Sequence, residues 1–204
     1  MHHAWITVAT AADRADRPAV GRRTALKTAI ALGVGMSLPR STALGQDDEQ
    51  AALRPKAGDW LVKVGDAGLT PLTPEDIPVA AQQTMAWAMD PRTGIVRSGS
   101  RLNRVVLLRF DPDTLAASTR ARAAGGVVAY TAICTHNGCE ITDWLGDEQT
   151  LSCPCHSTRF DAKNGARVLD GPAPRPLPAL PLVLAEGKLV VSRSFTARVG
   201  FELA

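Results

Sequence analysis

All four cysteines of this 204-residue chain fall between positions 134 and 155, and the only two histidines outside the extreme N-terminus, His136 and His156, fall with them. That clustering constrains the fold more than any other feature of the sequence. It divides into two short segments, Cys134-Thr135-His136-Asn137-Gly138-Cys139 and Cys153-Pro154-Cys155-His156-Ser157. The first holds a C-x-H pair and the second a C-x-x-H pair, with sixteen residues between His136 and Cys153. Two thiolates and two imidazoles can hold a metal, so several chemistries compete. A structural zinc site uses Cys and His in a tetrahedron, usually from C-x-x-C and H-x-x-H pairs. A thiol redox pair is one C-x-x-C beside a helix. A disulfide framework is the plain alternative in a secreted chain. None of the three requires a His two residues after one Cys and a second His three residues after another.

The rest of the chain can bury a core, with 45% hydrophobic and 21% charged residues. Its pattern is β from Gly58 onward. Short strands are expected at Trp60 to Val64, Thr84 to Met89, Arg104 to Phe110 and Val127 to Ile133, the last running straight into Cys134. Thr73-Pro74-Glu75-Asp76 has the cap and acids of a helix start, and Pro78 limits it to a turn. Asp111-Pro112-Asp113 opens a helical stretch expected to reach about Ala124, where Gly125-Gly126 ends it. Leu182 to Ser192 reads as a hairpin turning at Glu186-Gly187-Lys188. Many short strands separated by Gly and Pro turns indicate an all-β, antiparallel sandwich or barrel with one short helical insertion.

The formal charge of +3 is unevenly placed. Residues 1–45 carry six Lys/Arg against two acids, so residues 46–204 have a net charge of −1. A body without basic excess argues against nucleic acid as a partner. The N-terminus reads as an export label over residues 1–45. Arg22-Arg23 and Lys27 precede an uncharged run, Thr28 to Pro39, and a small-residue exit follows near Gly45. The paired arginines, followed by Leu and Lys, resemble the twin-arginine signal, which carries already folded proteins. The uncharged run is 12 residues, short of the ~20 that a membrane span needs. Cleavage is therefore the expectation, and membrane association through an uncleaved signal the alternative. Residues 46–57 are polar and read as a linker, leaving 58–204 as the domain.

The two Cys/His segments resemble the Rieske [2Fe–2S] proteins, in which one iron takes two thiolates and the other two imidazoles. The resemblance covers about residues 127–192, with the cluster-binding part near 130–178. It implies a Rieske-type antiparallel β-sandwich with an inserted two-loop subdomain and one [2Fe–2S] cluster per chain. It assigns Cys134 and Cys153 to one iron and His136 and His156 to the other. Cys139 and Cys155 match the pair that the high-potential branch joins in a disulfide. Gly171-Pro172-Ala173-Pro174 matches the proline loop that packs over the cluster. High-potential relatives place Ser and Tyr hydroxyls two and four residues after the second ligand His; here those positions are Thr158 and Phe160. Ser157 stands where many relatives have Gly.

The same resemblance implies a one-electron carrier with no bond chemistry of its own. An oxygenase catalytic subunit needs a second iron held by two His and a carboxylate, and only His2 and His3 are left over. The export signal and the extra cysteine pair suggest instead an exported electron-transfer subunit, and the short apolar run and Phe160 favour the small subunit of a periplasmic molybdenum oxidase of the arsenite oxidase kind. The alternative is the iron–sulfur subunit of a quinol–cytochrome c reductase, and a more distant one a structural zinc module. Expected partners are a molybdenum-enzyme large subunit or a cytochrome b or c, with a quinol as a further candidate. Glu140, Asp143, Asp147 and Glu148 near the first loop would suit a basic partner, although a solvated face explains them as well.

Overall fold

β-Branched and other apolar residues in short runs give ten antiparallel strands among residues 41–201, which the computed structural model describes. The chain begins there with α1 (Ser41–Ala52), then β1 (Trp60–Lys63), β2 (Thr84–Met89), β3 (Val105–Arg109), a single turn α2 (Ala117–Arg120) and β4 (Val127–Thr131). Four strands follow in the cysteine-bearing region: β5 (Asp143–Leu145), β6 (Thr150–Ser152), β7 (Arg159–Asp161) and β8 (Arg167–Asp170). The hairpin of β9 (Leu182–Ala185) and β10 (Lys188–Val191) completes the fold. Glu186 and Gly187 at its tip both have positive φ, 51° and 76°, the backbone of a two-residue turn that matches strand twist.

The strands form two antiparallel sheets. The larger has the order β4-β3-β2-β1-β10-β9 and the smaller β5-β6-β7-β8. The larger sheet curls back on itself, because residues leading into β9 bond to β4: Leu180 N donates to Ala129 O at 2.9 Å and Thr131 N to Pro178 O at 2.9 Å. The expected all-β antiparallel architecture is therefore present, as a curled sheet carrying a smaller one.

The near-continuous apolar run of β3 has a specific cause. Successive side chains of a strand point to opposite faces. In β3 and β4 one set, Val105, Leu107, Val127 and Ala129, packs inside the curl of the large sheet. The other set, Val106, Leu108, Val128 and Tyr130, packs against Leu151, Phe160, Cys134 and Cys153 of the cysteine-bearing region. Both faces are buried, so neither strand shows alternation. Tyr130 pins the two sheets together, its hydroxyl donating to Ala162 O at 2.8 Å.

Two expectations about helices change. The stretch 111–124 is a 3₁₀ turn at Pro112–Thr114 and the one-turn α2, with Leu115 and Ala116 extended between them. Leu115 is drawn into the core and Ala116 N donates to Lys163 O at 3.0 Å, so tertiary packing overrides helix propensity there. The stretch 46–57, expected as a linker, is helical as far as Ala52 and its end is fastened down. Arg97 donates to Gln50 O at 3.0 Å, Gly99 N to Ala51 O at 2.9 Å, and Asn103 Nδ2 to Leu53 O at 2.7 Å. Arg97 itself is fully buried between Asp59 (3.0 Å) and Asp90 (3.4 Å). The backbone N–H of Arg92, helped by Lys56, holds the Asp90 carboxyl down at about 2. Among the described residues no helix is long and apolar enough to cross a membrane. Residues 1–40 of the expected export signal, with Arg22 and Arg23, lie outside the described residues.

Candidate metal centre

Two loops and a third segment converge at one end of the small sheet. The first loop follows β4. Gly138 N donates to Cys134 O (3.1 Å) and Cys134 N to Cys139 O (2.8 Å), a tight turn that Gly138 permits at φ +73°. The second loop joins β6 to β7 and is closed by Cys153 N donating to Thr158 O at 2.9 Å. Ser157 adopts φ +54° in it, a left-handed conformation that Gly would take without strain. The third segment is the Gly171–Pro174 turn. A Cβ on Gly171 would lie 2.5 Å from Thr158 Cα, so only Gly permits this approach to the second loop. The same segment reaches the first loop where Thr135 Oγ1 donates to Arg175 O at 2.7 Å.

The structure brings the predicted donors together as two pairs. Cys134 and Cys153 are free thiols, 1% and 2% exposed, within hydrogen-bonding reach of each other. Burial pushes the Cys134 thiol up to about 11, while the backbone N–H groups of His136 and Asn137 point at its sulfur and pull the other way. The thiol is neutral at ordinary pH, and a metal that displaces its proton gains a ligand already aimed at by two N–H donors. His136 and His156 form the second pair, with Nδ1 atoms 3.2 Å apart and rings at 81°. His156 is exposed and His136 half-buried. Cys139 and Cys155 are joined in a disulfide, with Cα atoms 6.5 Å apart, tying the loops.

This arrangement discriminates among the chemistries. Among the described residues, the one trio of Cys, His or acidic donor atoms lying within 4.8 Å of one another is Cys139, Cys153 and Cys155. Two of those sulfurs are spent in the bridge, so the trio is not a site of its own. No three of Cys134, His136, Cys153 and His156 meet around one point, as a tetrahedral zinc ion requires. A buried sulfur pair and a separate imidazole pair fit a two-metal cluster instead. Thr158 adds a second sign. Its hydroxyl is buried, two residues from His156, with no hydrogen-bond partner. A buried hydroxyl left unpaired is costly, and a cluster or ligand sulfur would accept from it.

A family model described as the Rieske [2Fe-2S] domain matches residues 81–181. The cytochrome bc1 complex Rieske iron-sulfur subunit of Streptomyces lividans is 32% identical over 64% of this chain and 78% of its own length. The chain belongs to the Rieske family. A Haloferax mediterranei protein named as the Rieske subunit of a respiratory nitrate reductase is 33% identical over 62% of this chain, which spans 55% of that relative. The solved cyanobacterial plasma membrane Rieske protein from Synechocystis PCC 6803 matches 54% of this chain and 85% of its own, at 24% identity and a TM-score of 0.34. The Rieske domain binds a [2Fe–2S] cluster, and the donor set described above suits one.

Other sequence expectations fall differently. Phe160 is fully buried, opposite Leu151 in the β6–β7 pair and in the same core as Cys134 and Cys153. Of the four acids near the first loop, Glu140 pairs with Arg104 and Glu148 with Arg159. Those two charges are answered within the chain, while Asp143 and Asp147 are exposed, which favours a solvated face. Arg101 was not singled out by the sequence. It donates to Gly138 O at 2.8 Å and so supports the first loop from 37 residues away, a contact that leaves no local signature.

Proposed function

We propose that this Rieske protein is an exported one-electron carrier, the small electron-transfer subunit of an oxidoreductase complex. The observation that carries the reading is the division of the donors into a buried thiol pair and an outward imidazole pair on disulfide-tied loops. Cys134 and Cys153 would hold one iron and His136 and His156 the other. The bound cluster supplies a reversible one-electron couple, in a range of roughly −150 to +300 mV for Rieske centres. The chain's residues insulate one side of it and leave the His156 edge open to a partner.

The partner is a molybdenum-enzyme large subunit, of which the arsenite oxidase kind is the model. Phe160 supports this over the highest-potential role, because it lacks the hydroxyl that high-potential relatives carry. The second reading is a quinol–cytochrome c reductase subunit, and the 32% identity to the Streptomyces lividans bc1 subunit favours it. The test is a reductive titration of the isolated chain. A red-brown protein that takes up one electron per chain is expected; a colourless protein with zinc would overturn the reading.

The hydroxyl positions give a sharper prediction. A hydrogen bond to sulfur stabilises the more negative, reduced state. Thr158→Val should therefore lower the reduction potential by about 40 mV, the equivalent of one bond of ~1 kcal/mol for one electron. Phe160→Tyr should raise it by a similar amount, provided that the new hydroxyl reaches a ligand sulfur. Voltammetry of both variants checks the two signs; an unchanged potential in Thr158→Val would mean that Thr158 does not serve the cluster.

Location rests on the sequence label. Arg22 and Arg23 act as a recognition element and not as bulk charge, so replacing both by Lys should block transport of the folded protein to the periplasm. Fractionation and immunoblotting of cells carrying the Lys-Lys variant provide the check. Normal export of that variant would remove the twin-arginine assignment.

A further inference from the structure

Beside the first cluster loop lie two adjoining cavities, of about 200 and 330 Å³, that share Arg54, Arg198 and Val199 in their walls. Arg101 and Gly138 line the smaller one. Three arginines thus line the smaller cavity and two of them the larger, and among the described residues none lining either cavity is acidic. The contrast with the body of the chain, net −1 over residues 46–204, is local and sharp.

Among the described residues these cations have no carboxylate partner. Arg54 donates to Leu102 O at 2.8 Å and to Asn103 Oδ1 at 3.3 Å, both neutral acceptors. Partial burial pulls its pKa below the ordinary value, and among the described residues no ion pair offsets the lost hydration. Arg101 spends one nitrogen on Gly138 O and keeps the rest of its fork. Arg198 is exposed. A planar fork of N–H donors matches a carboxylate in two parallel bonds, and the match strengthens where water is partly excluded.

We propose that Arg54, Arg101 and Arg198 form a docking site for a carboxylate-bearing segment of the protein that exchanges electrons with the cluster. Apolar surface argues for a protein segment over a small inorganic anion. Val199 and Phe201 line the smaller cavity and Phe195 the larger, and Glu side chains with their hydrocarbon stems would cover this surface where phosphate would not. Arg101 connects the site to function. It forms part of the cavity wall and holds the carbonyl of Gly138, two residues from His136. A partner anchored there lies alongside the loop that carries one imidazole. Glu140 and Glu148 are engaged by Arg104 and Arg159, and the charged residues lining the two cavities are all arginines, so the complement of this depression is negative.

The inference rests on the electron-carrier reading, and the experiment separates the two. The full cluster-loaded chain is titrated calorimetrically with hexaglutamate at low ionic strength, and separately with inorganic phosphate. Wild type should bind hexaglutamate, more weakly as salt rises. Arg198→Glu should weaken binding at least about fivefold, Arg54→Gln by less, and Arg120→Glu, the same charge change on exposed α2, by less than about twofold. Arg198→Gln serves in place of the reversal if that variant folds poorly. Equal affinity in wild type and Arg198→Glu would overturn the proposal. So would phosphate binding as tightly as the peptide, which would make this a small-ion site. The visible spectrum of every sample reports the cluster independently, so a colourless wild type would count against the carrier and not against the docking site.

Discussion

His156→Ala should abolish the visible absorption of the protein and reduce its iron and acid-labile sulfide to background, while the far-UV circular dichroism keeps its β character. The expectation follows from where His156 stands. Its side chain is exposed, and its close contact is the His136 ring, Nδ1 to Nδ1 at 3.2 Å. No core packing is removed with it, so the loss reports ligation and not collapse of the scaffold. Cys134 and Cys153 would be poorer tests, because both are buried in the core that also holds Phe160 and Leu151. A large-to-small change there adds a cavity cost of its own. In the proposed arrangement two imidazoles would hold one iron, so the loss of either would leave that iron open to water and dissociation. An unchanged spectrum and iron content in His156→Ala would mean that the second metal ligand lies elsewhere.

The site was far more legible in the sequence than its supports. Cys134, His136, Cys153 and His156 announce themselves because ligands on one short loop must recur at fixed spacing. The structure places them as two pairs, and it joins Cys139 to Cys155 as the resemblance implied. The β9–β10 hairpin was equally plain, since Glu186-Gly187 is a local turn signal. Other features depend on contacts distant in the chain. β5, β6, β7 and β8 have three or four residues each, too few for a periodicity to emerge. Leu115 breaks the expected helix because it packs in the same core cluster as Phe160, 45 residues further on. The polar stretch after Gly45 gives no hint that Arg97, Gly99 and Asn103 will seize the end of α1. The unpaired hydroxyl of Thr158 is also invisible until the chain is folded.

The largest expected effect on stability belongs to the bridge. Cys139 and Cys155 are 16 residues apart, and their bond is the covalent tie between the two cluster loops. The remaining ties are weaker. Thr135 reaches Arg175, just after the Gly171–Pro174 segment, through one hydrogen bond, and Gly171 meets Thr158 through close packing. Closing a loop of about this length removes unfolded-state entropy worth roughly 3 kcal/mol. For a domain of about 150 residues that corresponds to a fall in melting temperature of about 6–12 °C. Replacing both cysteines by Ser should produce that fall in calorimetry and speed the loss of colour on heating. Reductant should lower the wild-type melting point towards that of the variant and leave the variant unmoved. Cys155 is exposed, so the bond is accessible to reductant before the domain unfolds. If the double variant melts with wild type, the loops are held by the cluster and the proline segment alone, and the bridge contributes little beyond excluding water.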